Sequence, residues 1–234
     1  MNESINITLC LAGSFLTLFI IAELIYRYAR VQAEWTRKLV HIGTGFLTLL
    51  FPILLNNRWL VLALCFSFAI LLMGSLKLKF LASINAIGRS SHGSITYPLS
   101  VFLCYCFYEW YRSKSFCRET GHIAFYMPML ILAVSDPMAA MFGRRWPLGK
   151  YKSGKEYKSL LGSFVFFVSS FGISYLLLSV TNSNFTSQGI LFISSVGIGI
   201  ITGLAEALSR NGMDNLFIPC TAMISILLFS PFWV

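Results

Sequence analysis

The chain has 234 residues, of which 56% are hydrophobic and only 12% are charged. A soluble domain carries about 25% charged residues, so this composition excludes an ordinary soluble protein and indicates an integral membrane protein. No polar segment is long enough to fold separately, and residues 1–234 are therefore interpreted as a single integral-membrane domain.

Apolar runs divide the chain into candidate membrane spans, each of which needs roughly 20 residues. Eight windows of about that size cover residues 5–26, 39–55, 59–76, 95–111, 122–142, 160–180, 188–208 and 215–234. Alternating strand patterns are absent, which favours helices over a membrane barrel. We predict an all-α, polytopic bundle of about eight (seven to nine) spanning helices, and we interpret the many Phe residues as lipid-facing bulk.

Positive charge predicts how the bundle is oriented. The first window has no preceding basic region and is followed by Arg27 and Arg30, as expected of a retained helix with its N-terminus outside. With eight spans, all but four of the 18 Lys and Arg residues then fall on the inside. The exceptions are Arg58, Arg112, Lys114 and Arg118. The positive-inside rule therefore supports a multi-pass protein with its basic loops, and any site beside them, on the cytoplasmic side. A bacterial plasma membrane and the endoplasmic reticulum both fit this orientation.

In this orientation, the net charge of +9 lies mainly on the cytoplasmic face. Anionic lipid headgroups and nucleotide phosphates are the expected partners, and nucleic acid is not needed to explain it. Four polar clusters fall on the same side: residues 34–45, 88–98, 132–163 and 205–219. Their shared placement predicts one site. In the first cluster, Arg37 and His41 are four residues apart and share a helix face.

Asp136 is the polar residue that is least expected in its apolar surroundings. A carboxylate at a membrane boundary is costly unless it is paired or binds a cation. A structural ion pair with Arg144 is the simpler alternative. Pro137 follows at once and has no N–H, which is expected to free backbone carbonyls near Ala133.

The segment after Asp136 combines small residues with positive charge. Ala140 and Gly143 continue the helix face of Asp136, so this stripe either packs closely on another helix or leaves room for a ligand. The loop that follows carries six cations: Arg144, Arg145, Lys150, Lys152, Lys155 and Lys158. Residues 149–156 approximate a P-loop, but Glu156 replaces the Ser or Thr that would bind magnesium. We reject a P-loop fold and predict a polyphosphate cradle; the alternative is a basic loop that only satisfies topology.

The fourth cluster offers further oxygen ligands. Glu206, Asp214 and Asn215 lie within ten residues of one another and would complete a magnesium site opposite Asp136. The alternative is a simple pair between Glu206 and Arg210, which are four residues apart.

Four stretches resemble the blocks of the polyprenol kinase family, which includes dolichol, phytol and CTP-dependent diacylglycerol kinases. They are "TRKLVHIGTG", "GSITYPLSV", "SDPMAAMFGRRWPLGKYKSGKEYKSLLGSFVFF" and "EALSRNGMDNLFIP". The resemblance covers the chain from residue 34 onward. One departure is that Pro147 and Leu148 intervene before Gly149, where relatives often have Gly soon after the arginines.

The resemblance implies an enzyme that phosphorylates a membrane lipid alcohol, typically with CTP and Mg²⁺ or another divalent cation. An isoprenoid alcohol is the first expectation for the acceptor. The catalytic residues would be Asp136 and Lys158, and the metal ligands Asp136, Glu206 and Asp214. The nucleotide-binding residues would be Arg37, Lys38, His41, Gly143, Arg144, Lys150, Lys155, Ser159, Gly162 and Asn215.

Other functions remain as alternatives. The third block also resembles, more distantly, phosphatidate cytidylyltransferases, but their C-terminal His-Gly-Gly signature is absent here. A CTP-dependent diacylglycerol kinase differs only in its acceptor. An anion or lipid transporter would favour charges at the bilayer midplane and internal repeats, and neither is evident. An oligomer is compatible with all of these.

Overall fold

A computed structural model of the chain describes residues 2–78, 80–86, 92–114, 121–154, 156–182 and 187–233. It is a helix bundle with one short β-hairpin in the described part. The helices are α1 (Asn2–Tyr28), α2 (Ala33–Thr48), α3 (Phe51–Leu54), α4 (Arg58–Leu78), α5 (Ala82–Asn85), α6 (Gly93–Arg112), α7 (Ile123–Leu130), α8 (Asp136–Arg145), α9 (Leu160–Asn182), α10 (Gln188–Leu208) and α11 (Asp214–Phe229). A π-helical segment (Ile131–Ser135) joins α7 to α8, a 3₁₀ turn (Ser230–Phe232) follows α11, and the strands are β1 (Lys150–Ser153) and β2 (Glu156–Ser159).

Each predicted span falls on a helix. Among the described residues, seven helical segments are long and apolar enough to cross a membrane, which confirms the polytopic bundle. The remaining window, residues 95–111, lies in α6, which is as long as a span but less apolar. Its buried face carries Tyr105, Tyr108 and Tyr111 and packs within the bundle against α4, α7 and α11.

The continuous segment from α7 to α8 is the most buried of the spans. In α7 and the π-helical segment most apolar side chains, such as Phe125 and Ile131, are fully buried, as expected of a central helix, whereas Met138, Met141 and Phe142 of α8 are exposed. In a π-helix, the carbonyl of Leu132 would accept from the residue five positions later. That residue is Pro137, which has no N–H. The Leu132 carbonyl instead accepts a hydrogen bond from Nε2 of His41 at 2.9 Å, so the expected freeing of a carbonyl is confirmed next to Ala133.

The β-hairpin was not predicted from the sequence. β1 and β2 are antiparallel, and Gly154 at their turn has φ +65°, a conformation that favours glycine. The register places Tyr151 opposite Lys158, so both side chains lie on the same face. α9 begins directly after β2, and the hydroxyl of Ser159 accepts a bond from the Gly162 N–H at 3.0 Å as its N-cap.

Candidate functional site

A polar cavity of about 270 Å³ lies where α2, α8, the hairpin and α9 to α11 meet. Every predicted site residue that the structure describes lines it: Arg37, Lys38, His41, Asp136, Gly143, Arg144, Lys150, Lys158, Ser159, Gly162, Glu206, Asp214 and Asn215. Lys155 lies outside the described residues. Three polar clusters that are far apart in the chain therefore share one cavity.

Asp136 is paired across two helices. Nζ of Lys38, on α2, donates to Oδ2 of Asp136 at 2.9 Å, and only 12% and 10% of the two side chains are exposed. Nε2 of His41 lies 3.8 Å from the same oxygen. A buried carboxylate with a lysine partner satisfies the energetic requirement seen in the sequence.

Arg144 has a different partner from the one expected. Its Nη1 lies 3.1 Å from Oε2 of Glu34, and Nη2 of Arg37 lies 3.2 Å from the same oxygen. The suggested ion pair between Arg144 and Asp136 is therefore wrong. Nε of Arg37 is buried and has no hydrogen-bond partner in the described part of the chain. Such a donor is available to a ligand oxygen.

A second buried pair joins the hairpin to α10. Nζ of Lys158 lies 2.7 Å from Oε1 of Glu206 and also donates to the Glu206 carbonyl. The hydroxyl of Ser163 donates to the other carboxylate oxygen at 3.4 Å. The alternative pair between Glu206 and Arg210 is therefore wrong. The side chain of Arg210 lies instead against Gly154 of the hairpin turn.

The three carboxylates form one electrostatic network. Asp214, in the first turn of α11, interacts with Asp136, and both interact with Lys38 and Lys158; Glu206 interacts with both aspartates and with Lys158. The three carboxylates offer oxygen donors that fit Mg²⁺, while Arg37, Arg144 and Lys150 add positive charge to the same lining. Within the described residues no three His, Cys, Asp or Glu side chains form a ready-made cluster around an ion. Mg²⁺ is usually held by one or two carboxylates together with substrate phosphates, so the donor set suits an ion that arrives with a nucleotide.

Glycines allow α8 and α9 to approach closely beside these pairs. A Cβ on Gly162 would lie 3.0 Å from the Ala139 carbonyl oxygen, and one on Gly143 would lie 2.7 Å from the Ser159 hydroxyl. The small-residue stripe thus packs on another helix and borders the cavity at the same time. The expected close packing is confirmed, and the use of the stripe in binding a ligand stays a prediction.

A second, apolar cavity of about 350 Å³ lies between α1, α2, α4, α5 and α6. Its apolar lining includes Phe15, Phe19, Val40, Phe51, Phe68, Leu72, Leu76, Ile84 and Val101. It shares Arg37, His41 and Asn215 with the polar cavity, so the two meet at these side chains. The interpretation of the Phe residues as lipid-facing is wrong for Phe15 and Phe51, which are 5% and 1% exposed.

The second polar cluster borders the junction between the two cavities. The His92 N–H donates to the Asn211 carbonyl at 2.8 Å, and the Thr96 hydroxyl donates to the Gly212 carbonyl at 2.9 Å, which joins α6 to the turn before α11. Tyr97 stacks edge-on against His41, with ring centroids 5.0 Å apart. Residues 88–91 of this cluster lie outside the described residues.

Comparison with known proteins reveals two relatives. The chain is 31% identical over 211 residues to a phytol kinase of Synechocystis sp., which covers 89% of this chain and 85% of that protein. It is 38% identical over 100 residues to an uncharacterized protein of Rickettsia prowazekii, which covers 43% of this chain and 46% of that protein. No family model matches. No solved structure matches either.

Proposed function

Because the chain belongs to the polyprenol and phytol kinase family, and is therefore a phosphotransferase with an alcohol acceptor, we propose that it transfers the γ-phosphate of CTP to an isoprenoid alcohol of the phytol or polyprenol type. One observation carries the proposal: a polar cavity with two buried lysine–carboxylate pairs lies beside an apolar cavity, and Arg37, His41 and Asn215 line both. The polar cavity suits a triphosphate and the apolar one a lipid chain. The choice of CTP follows the family resemblance, and the positive charge of the surrounding loops supports a cytoplasmic location.

The cations around the polar cavity would hold the phosphates. Phosphoryl transfer needs mainly positioning and neutralisation of charge, because the protein has little covalent chemistry to perform. Arg37 and Arg144 offer forked donors that match phosphate oxygens, whereas Lys38 and Lys158 offer point charges. Lys150 lies at the start of the hairpin beside them. Lys155 is included as one of the six cations of the basic loop.

The carboxylates would hold the divalent cation, with Asp136 as the main ligand and Asp214 or Glu206 assisting. A bound Mg²⁺ supplies neutralisation of the triphosphate charge. Without substrate, Lys38 and Lys158 neutralise Asp136 and Glu206, which limits the cost of burying them. When the nucleotide enters, we propose that the lysines turn to its phosphates and release carboxylate oxygens towards the cation.

The acceptor hydroxyl would reach Asp136 through the junction at His41. There the hydroxyl oxygen forms the new bond to the γ-phosphorus, the bond to the β,γ-bridging oxygen breaks, and CDP leaves. The hydroxyl proton would pass to Asp136 as this bond forms, which is the second role that we propose for this carboxylate. Its 3.8 Å separation from His41 places it beside the residues that border both cavities.

The test is transfer of label from γ-labelled CTP to a lipid in detergent micelles containing Mg²⁺ and phytol, longer polyprenols or diacylglycerol. We expect label in an isoprenoid alcohol, and a loss of at least about 100-fold in Asp136→Asn, as when a group that stabilises the transition state is removed. Glu109→Gln is the matched control, because Glu109 lies in the last turns of α6, far from the end that borders the site.

Three results would contradict the proposal in different ways. Transfer from γ-labelled ATP in preference to CTP would change the donor and leave the kinase intact. Label only in diacylglycerol would replace the acceptor. Formation of a CDP-lipid from phosphatidate and α-labelled CTP, with no labelled alcohol, would show a cytidylyltransferase instead.

A further inference from the structure

Glu34 joins the two arginines of the polar cavity. It lies in the first turn of α2, and Arg37 follows one turn later on the same helix. Arg144 comes from the last turn of α8. One carboxylate oxygen, Oε2 of Glu34, lies 3.2 Å from Nη2 of Arg37 and 3.1 Å from Nη1 of Arg144. The carboxylate therefore connects the beginning of α2 with the end of α8.

The position of Glu34 separates it from the expected nucleotide contacts. Arg37 and Arg144 both line the polar cavity, whereas Glu34 is not among the described residues that line it. The Glu34 side chain is 28% exposed, and those of Arg37 and Arg144 are 20% and 48% exposed. Any effect of Glu34 on a ligand in the cavity must therefore pass through the two arginines.

The local stability of α2 does not explain the whole arrangement. A glutamate in the first turn of a helix interacts favourably with the helix dipole, and it pairs with a cation three residues later. Both effects concern α2 alone and account only for the contact with Arg37. Arg144 belongs to a distant segment of the chain, and its half-exposed pair with Glu34 contributes little to folding. The contact is expected to fix where Arg144 lies rather than to stabilise the bundle.

The bridge leaves donors on the arginines for a ligand. A guanidinium group has five N–H donors, and Glu34 contacts one nitrogen of each group. Nε of Arg37 is buried and has no hydrogen-bond partner in the described part of the chain. Arg37 can therefore be held by Glu34 and still donate to a phosphate oxygen. A side chain that is already held loses less conformational freedom when the ligand binds.

We infer that Glu34 is a positioning residue, which holds Arg37 and Arg144 together at the polar cavity so that both guanidinium groups can receive the phosphates of the nucleotide. The inference rests on the proposed function and deepens it. Two guanidinium groups that contact one oxygen lie close enough to repel each other, and the carboxylate between them offsets that repulsion before the nucleotide arrives.

A simpler role for Glu34 predicts the opposite result when the carboxylate is removed. If Glu34 acted only as a negative charge near a site for an anion, its removal would strengthen nucleotide binding and lower the KM for CTP. If Glu34 positions the arginines, its removal leaves two long side chains to be ordered by the nucleotide itself, and the KM rises. The sign of the change therefore decides between the two roles.

The experiment measures kcat and the KM for γ-labelled CTP in the micelle assay, together with equilibrium binding of CTP without an acceptor. For Glu34→Ala we expect the KM and the dissociation constant to rise about fivefold and kcat to stay within about twofold. Glu34→Gln keeps an oxygen near the same place, so its rise should be smaller. An unchanged or lowered KM in Glu34→Ala would overturn the inference.

A double variant tests whether Glu34 acts through Arg144. In the Arg144→Ala background, Glu34→Ala should raise the KM further by about twofold or less, through Arg37, because two residues that act together are not additive. The same fivefold rise in both backgrounds would show that Glu34 acts independently of Arg144, and would overturn the inference.

Glu3→Ala is the matched control, because Glu3 is an exposed glutamate in the first turn of α1 and lines neither cavity. Its KM should remain that of the wild type. Thermal unfolding in detergent checks that each variant is folded, and if Glu34→Ala does not fold, Glu34→Gln carries both comparisons. A wild type that neither binds CTP nor labels an alcohol would overturn the proposed function, and this inference with it.

Discussion

The polar and apolar cavities share residues of α2 and α11, but they differ in their chemistry. On the polar side, α2 contributes Lys38, whose charge is paired with a carboxylate of α8. On the apolar side it contributes Val40 and Thr44, and the threonine hydroxyl is satisfied within the helix. Arg37 and His41 border both cavities. Under the proposed function, α2 would bring a water-soluble donor and a membrane-soluble acceptor to the same point.

The difference also concerns how each cavity is stabilised. The polar cavity depends on pairs of opposite charges that are costly to leave incomplete. The apolar cavity depends on the packing of its walls, which away from Arg37 and His41 are mainly apolar side chains. Substitutions on the polar side should thus affect both folding and activity, whereas those on the apolar side should affect mainly acceptor selection.

Among substitutions that test this difference, we expect the largest loss of folding stability from Lys158→Ala. It leaves the buried carboxylate of Glu206 without its lysine, which costs about 3–5 kcal/mol of folding stability for a buried pair. Thermal unfolding in detergent measures this cost, and Lys152→Ala is the control, since Lys152 is an exposed lysine of the same hairpin.

The double variant Lys158→Met with Glu206→Leu separates the structural role from the catalytic one. Removal of both charges should restore most of the stability, because no uncompensated charge remains. Activity should stay lost. Recovery of activity together with stability would show that this pair is only structural.

A smaller effect is expected from Gly162→Ala. The new methyl group would lie 3.0 Å from the Ala139 carbonyl and force α8 and α9 apart, at a cost of about 1–3 kcal/mol. Gly172→Ala on the same helix is the control, because a Cβ there meets open space. Equal unfolding temperatures for the two variants would show that the close contact is not required.

The smallest effect on stability is expected from Arg144→Ala. The pair of Arg144 with Glu34 is half-exposed, and such pairs contribute less than about 1 kcal/mol. Loss of a charged phosphate contact should still raise the KM for the nucleotide about tenfold. Arg145→Ala is the control, since Arg145 is exposed and does not line the cavity. An unchanged KM would remove Arg144 from the nucleotide site.

Much of this molecule was evident from the sequence because hydrocarbon imposes strict rules on a chain. Helices must be long and apolar to span a membrane, so each predicted window falls on a helix. A carboxylate such as Asp136 stands out because it is costly there. The same contrast identified the clusters around Arg37 and Glu206, which the structure brings to one cavity.

The tertiary structure alone decided the partners and the second cavity. Spacing suggested Arg144 and Arg210 as partners of the carboxylates, because sequence patterns reveal only neighbours along one helix. Packing instead brought Lys38 to Asp136 and Lys158 to Glu206 from distant segments. The apolar cavity has no sequence signature, because a Phe that faces an internal cavity and a Phe that faces lipid are both in apolar surroundings. Only the packing of α1, α4 and α6 around α2 distinguishes them.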